Sequence, residues 1–375
     1  MLKIEKIIPQ VKEIVEKKYS ENIKKLNIIE FAIKTLKEIN IEDFKDLNYK
    51  EITTLFGTPV EKPGKSFKIK KEPSEYIAIA SDGSEVPVNE DFFFPYYIIN
   101  IGFVVLKYGK DHFFLADSAA KIYFEENEIY EKVGDKNFLV RGELLSSKML
   151  LEESKKLGEL LKDFYVIDIP TLILFDGTLI QWEIKETSLI YKNNFIQDFQ
   201  KFIQIAEQLK SPIAGYISGT HSRDIIEMIK IFLEMRNTKF NEQLLSIIKD
   251  RDLYEIILQK GERSAVFRSN APILNLYRSP IYFFFLNVGR EVVRIEIPEF
   301  IANNKNLLET TCALILSQSD KGEGYPVVLR EAHEQAVIKN PEKVFIEDLF
   351  IELLRKKGIE LNYNYKYISK KTRSI

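Results

Sequence analysis

The chain has 375 residues but only one cysteine and three histidines. Cys312 sits in the apolar run TTCALILS, has no second cysteine to pair with, and reads as a buried helical residue. Structural zinc of the multi-cysteine kind is excluded, and the histidines are too few for a histidine-rich site. Glycine is also scarce, at 16 residues, and no glycine cluster is present. Charge of one sign is missing too: 54 Lys and Arg stand against 56 Asp and Glu. A wholesale polycation of the chromatin type is therefore excluded, and any nucleic-acid surface must be a local basic patch. No long hydrophobic run is present. The most apolar stretch, Phe92 to Leu106, is broken by Pro95, Asn100 and Gly102 and rich in aromatics, so it predicts a buried strand and not a membrane span. The opening MLKIEKIIPQVKEIVEKK alternates charge with apolar residues and lacks a signal-peptide core, which predicts a soluble cytoplasmic protein.

Two segments share one design. YIAIASDGSE leads to Asp82-Gly83-Ser84, and TLILFDGTLI leads to Asp176-Gly177-Thr178. Each is an apolar, β-branched run followed by Asp-Gly-hydroxyl. A buried strand that ends so leaves a carboxylate at its tip, and the glycine lets the chain turn beside it. Two such tips in one sheet would repel unless a cation sat between them, an arrangement suited to divalent-metal phosphoryl transfer. An Asp before Gly is also an ordinary turn signal, and the repetition of the grammar is what favours the functional reading.

The surrounding pattern places these strands. Residues 1–56 carry helical periodicity, and the segment GTPVEKPGKSFKIKKEPSEY reads as a basic linker. From Tyr76 the pattern predicts strands at 76–81, 96–106 and 112–117 as a meander. A helix at 143–163 and the second Asp-Gly strand at 171–176 follow. Next come a helix at 194–209, a strand in PIAGYIS and a helix from Ser222 to Met235. A hairpin spans 281–297, and helices close the chain at 305–317, 327–339 and 343–356. Arg294 and Glu296 alternate with Val293, Ile295 and Ile297 and are expected on the face opposite the apolar one. A meander, a helix, then a strand with carboxylates at the tips is the order of a ribonuclease-H-like mixed sheet flanked by helices, of class α/β. The domains expected are residues 1–75 as a helical arm and linker, 76–340 as the catalytic domain, and 341–375 as a final helix and basic tail.

A metal site needs a third acidic ligand, and helix 143–163 offers several. Leu150, Leu157, Leu160 and Leu161 define its apolar stripe, and Glu153 falls inside that stripe. A carboxylate facing inward is costly without a positive partner. A metal would be one; Lys148 or Arg141 would be another. Glu153 is preferred, with Glu152 as the fallback. Late in the chain, GYPVVLREAHEQAVI sets His333 eight residues, about two helical turns, after Tyr325. A histidine can orient water, hold a metal or stabilise developing charge, and a tyrosine hydroxyl can bind a scissile phosphate.

Taken in order, IAIASDGSE, LILFDGTL, IAGYISGTHSRDIIEMIK, VVRIEIPEF and GYPVVLREAHEQAV resemble the NurA nucleases, the DNA-end-processing partners of the HerA translocase, from about residue 76 to 340. The resemblance implies a ribonuclease-H-like deoxyribonuclease, with single-strand endonuclease and 5′-to-3′ exonuclease activity. It implies manganese as cofactor, with magnesium as the alternative. It also implies a homodimer docked on a hexameric HerA-type ATPase during end resection in recombinational repair. Matched by motif, the catalytic residues fall on Asp82, Glu153, Asp176, Tyr325 and His333, and metal ligation falls on Asp82, Glu153, Asp176 and His333. DNA binding is expected from Lys65, Lys68, Lys70 and Lys71, and from Lys370, Lys371 and Arg373 in the tyrosine-rich tail. Two alternatives stand beside this reading. One is an ATP-dependent phosphotransferase of the actin-like fold, disfavoured by the lack of a glycine-rich adenosine site. The other is a non-catalytic DNA clamp.

Overall fold

The computed structural model describes residues 3–45, 54–89, 92–133, 136–182 and 189–359. The chain forms two compact units that do not follow its linear order. One holds Met1–Lys70, Tyr216–Leu274 and Ser279–Ala302; the other holds Lys71–Gly215, Asn275–Arg278 and Asn303–Ile375. Both are mixed α/β, with sheet strands flanked by helices. Among the described residues, no helix is long and apolar enough to cross a membrane.

The second unit carries the Asp-Gly segments. Its strands are β1 (Tyr76–Val86), β2 (Tyr97–Tyr108), β3 (Phe113–Tyr123) and β4 (Thr171–Asp176), and β5 (Ile213–Ile217) begins in it. They lie in the order β3-β2-β1-β4-β5. The meander β1-β2-β3 is antiparallel, and β4 runs parallel to β1, as a strand returned by a helical crossover must. Ile77, Ile79, Leu172, Ile173 and Leu174 are at most 1% exposed, and each such side chain contributes about 1.5–3 kcal/mol on burial. The crossover helix α1 (Glu143–Phe164) buries Leu157, Leu160 and Leu161 of the expected stripe and Leu145 besides, while Leu150 is only half-buried. The expected helix over 194–209 is two helices, α2 (Leu189–Phe199) and α3 (Lys201–Gln208). The C-terminal helices are α4 (Lys305–Lys321), α5 (Val327–Ala336) and α6 (Asn340–Lys356).

The first unit departs from the sequence expectation in two places. Part of the supposed linker is strand: Gly57–Pro59 pairs with Phe267–Ser269, and Ser66–Lys68 pairs with Glu262–Ser264. Glu61, between those two short strands, accepts from both guanidinium nitrogens of Arg263 at 2.6 and 3.0 Å, so a partly buried charge pair fastens the segment. The N-terminal residues are also not a separate arm throughout. Ile28, Leu36, Phe44 and Phe56 share one core with Ile229, Phe232, Phe267 and Phe283. Loop-like composition hid this, because strands of three residues leave no readable period.

The hairpin Ile281–Asn287 with Val292–Pro298 forms as expected. Its second strand, however, is buried at every residue, so Arg294 and Glu296 face no solvent. Arg294 donates to Glu296 at 3.0 Å and to Asp224 at 2.8 Å, and lies over the Phe283 ring. Nearby Asp250, fully buried, accepts the N–H groups of Ile225 and Ile226, both at 3.0 Å, and so caps the helix Asp224–Met235. Burial, then the charge of Asp224, pushes the Asp250 carboxyl up to about 7.

Candidate active site

Strand register sets the first pair of carboxylates. The parallel pairing of β1 with β4 steps from Ile77 opposite Thr171 to Ser81 opposite Phe175. One residue further on each strand stand Asp82 and Asp176, which the period of two puts on the same face. Asp176 does end its strand, and Gly177 turns the chain there with φ of 118°. Asp82 does not: β1 continues through Gly83 and Ser84 to Val86, with Asp82 opposite Gly102. The first Asp-Gly is therefore not a turn. Gly83 instead lets the Met149 side chain of α1 pack close, since a Cβ there would lie 2.6 Å from Met149 Cγ.

The two faces of β1 hold different helices. Ser81 and Gly83 face α1; the buried Ser81 hydroxyl donates to the carbonyl of Glu153 at 3.2 Å. Asp82 and Ser84 face α5. The helix comes so close that a Cβ on Gly102 would meet Ala336 N at 2.2 Å and Ala332 O at 2.5 Å. That contact brings His333 to Asp82: its Nδ1 lies 2.7 Å from Asp82 Oδ2, while Asp82 Oδ1 accepts the Gly83 N–H at 2.9 Å. Just before α5, the Tyr325 hydroxyl donates to Asp176 Oδ2 at 2.7 Å. The turn that delivers Tyr325 uses Gly324 at φ 110°.

Glu153 arrives on α1 and is 5% exposed. Its Oε1 is buried with no hydrogen-bond partner. Lys148, one expected counter-charge, pairs instead with Glu131 at 3.0 Å, and Glu152 is bound to Lys155 at 2.6 Å, which separates the two candidate glutamates. Burial pushes the Glu153 carboxyl well above the usual range, and the charges of Asp82 and Asp176 push it further. Asp176 is raised as well, by partial desolvation first; the Tyr325 hydrogen bond works against this, Asp82 adds to it and His333 opposes it. Asp82 and Asp176 are thus each held by a partner from the α5 segment, while Glu153 is carried by α1, which packs on the Ser81 side of β1.

Among the described residues, no group of three His, Cys, Asp or Glu side chains is arranged to hold a metal ion as it stands. The donor chemistry does fit one. The carboxyls of Glu153 and Asp176 are both raised, by burial first and then in part by the charge of Asp82, and a buried Glu153 oxygen lacks any donor, so a hard divalent cation would answer both. Of the basic residues expected to bind DNA, Lys65, Lys68, Lys70 and Lys71 are exposed, with Lys68 closing the strand Ser66–Lys68. Lys370, Lys371 and Arg373 lie outside the described residues. Sequence reasoning gave no role to Ser84, Asn100 or Gly102. Asn100 and Gly102 interrupt the apolar stretch from Phe92 to Leu106, and that interruption was the available signal.

A mixed sheet flanked by helices thus carries Asp82 beside His333 and Asp176 beside Tyr325. The model of the NurA domain matches residues 77–338. The chain belongs to the NurA family, a family of nucleases involved in DNA repair. A crystal structure of NurA is 12% identical with a TM-score of 0.42, covering 78% of this chain and 91% of that one. A crystal structure of NurA with manganese is 10% identical with a TM-score of 0.42, covering 94% of this chain and 98% of that one. No curated protein matches the chain.

Proposed function

We propose that this protein is a divalent-metal-dependent deoxyribonuclease that hydrolyses phosphodiester bonds in DNA. Membership of the family supports the class of reaction, and the strand register that sets Ser81 opposite Phe175, with Asp82 and Asp176 next along each strand, is the observation that carries the site. The strand order β3-β2-β1-β4-β5, antiparallel for three strands and parallel at the fourth, supports a ribonuclease-H-like sheet. Asp82, Asp176 and Glu153 would hold the cation, with His333 beside Asp82. Oxygen-rich ligands with one imidazole suit manganese or magnesium. When bound, such an ion supplies charge neutralisation for the scissile phosphate and lowers the pKa of an attacking water.

The protein's own groups do the rest. Tyr325, donating to Asp176 Oδ2, fixes that carboxylate. His333 spends Nδ1 on Asp82, which leaves Nε2 to contact a phosphate oxygen or move a proton. Single-strand endonuclease and 5′-to-3′ exonuclease action, end resection with a HerA-type hexameric ATPase, and work as a homodimer complete the proposal. Lys65, Lys68, Lys70 and Lys71 would contribute phosphate contacts, with affinity that falls as salt rises. The test is cleavage of single-stranded DNA by the purified protein with manganese. Asp82→Asn and Asp176→Asn should each abolish it with folding unchanged by circular dichroism, and full activity in either variant removes these residues from the site.

A further inference from the structure

We propose that Asn100 and Ser84 are positioning residues that hold His333 against Asp82 by clamping the last turn of α5. The need for a clamp follows from exposure. The His333 side chain is 60% exposed, so packing around the ring does not place it. Its position is set by the helix beneath it, and α5 is only ten residues long. A helix end leaves carbonyls without intrahelical donors. Here the chain leaves α5 at Val337 with φ −56° and ψ 122°, so no left-handed cap folds back to satisfy them.

The sheet supplies the donors. Asn100 Nδ2 donates to Ala336 O at 2.8 Å and to Gln335 O at 3.2 Å. The Ser84 hydroxyl donates to the same Ala336 carbonyl. Asn100 is 7% exposed and Ala336 fully buried, so water cannot replace these bonds. In the β1–β2 register Ser84 is opposite Asn100 and Asp82 is opposite Gly102. One patch of two strands therefore carries the carboxylate, the two clamp donors and the bare glycine on which the helix backbone rests. Ala336 lies three residues after His333, on the same side of α5. Fixing its carbonyl fixes the distance from the imidazole to Asp82.

The inference rests on the nuclease reading for its activity measurement but has a second readout that does not. Asn100→Asp keeps the shape and removes the amide donor. It should lower kcat for DNA cleavage by about ten- to a hundredfold, as a small misplacement of a reacting group does, with KM little changed. Ser84→Ala should act in the same direction, and Ser84→Thr, which keeps the hydroxyl, should restore most of the rate. In a His333→Ala background the Asn100→Asp change should cost less than about twofold more, because the group it positions is gone. The protein has three histidines, so [15N]histidine labelling gives a spectrum in which His333 is assigned by its loss in His333→Ala. Asn100→Asp should move its Nδ1 resonance towards the position seen in Asp82→Asn. Wild-type kcat in Asn100→Asp, an equal loss in the His333→Ala background, or an unmoved His333 resonance each overturns the proposal. If the wild-type protein cuts no DNA with manganese, the nuclease reading fails, and the imidazole spectrum alone still decides the clamp. Should Asn100→Asp not fold, Ser84→Ala and Ser84→Thr provide the same comparison.

Discussion

Glu153 is the residue at which removing a charge should stabilise the metal-free protein. Its side chain is 5% exposed, its Oε1 has no partner, and the charges within reach, Asp82 and Asp176, are of the same sign. Glu153→Gln keeps the shape, removes the charge and adds an amide that can donate to those carboxylates. Leaving a buried polar group unpaired costs about 1–3 kcal/mol, and more for a charge. At about 2–4 °C per kcal/mol for a domain of 150–250 residues, the metal-free variant should melt roughly 3–10 °C above wild type. The pH dependence follows from the raised carboxyl. The folded state binds the Glu153 proton more tightly than the unfolded state does. The stability this gives is complete below the unfolded pKa of about 4.3 and is lost as pH rises through the higher folded value. The advantage of Glu153→Gln should therefore be largest near pH 8 and disappear near pH 4. Manganese should raise the wild-type midpoint and leave that of the variant almost unchanged. Differential scanning fluorimetry with EDTA or manganese across this pH range measures all three effects. A metal-free variant no more stable than wild type at pH 8, or a gain that does not vary with pH, would refute the reasoning.

Two further expectations concern other parts of the molecule. Gly102→Ala should destabilise the second unit by about 1–3 kcal/mol or more, since its Cβ would strike the α5 backbone and not a movable side chain, and should separate His333 from Asp82; chemical denaturation and the imidazole spectrum check this. Asp250 has a carboxyl raised to about 7, so its contribution is present at low pH and lost as pH rises through 7. Asp250→Asn, which keeps the oxygen that caps the helix, should flatten the fall in thermal midpoint between pH 5.5 and 8, and an unchanged slope would show that Asp250 is not its source.

Much of the candidate site could be read in the chain because its residues obey local periods. Asp82 and Asp176 each follow an apolar run whose burial is the same in the fold, and Glu153 stands out as an acid in a leucine stripe. The long strands and helices of residues 76–356 could be read for the same reason, but the hairpin of Tyr130–Val133 with Lys136–Leu139, the helix Asp250–Ile257 and the strands Glu262–Ser264 and Phe267–Ser269 could not. What the local pattern misjudged was the meaning of Gly83. The residue looks like a turn, yet the strand runs on, and the glycine makes room for Met149, which lies 66 positions later. The short strands at Gly57–Pro59 and Ser66–Lys68 were hidden because pairing with distant partners, and not their own composition, makes them strands.

Sequence alone determined which faces are apolar, where the long helices and strands run, and which acids are costly to bury, because these depend on residues within a turn or two of each other. The tertiary structure decided the rest. It aligned β1 with β4 so that Asp82 and Asp176 follow the paired Ser81 and Phe175, and it left Glu153 Oε1 buried without a hydrogen-bond donor. It seated α5 on Gly102, where Asn100 and Ser84 hold its end. Those outcomes depend on contacts between residues up to 252 positions apart, and the close approach of two backbones leaves no local period to read.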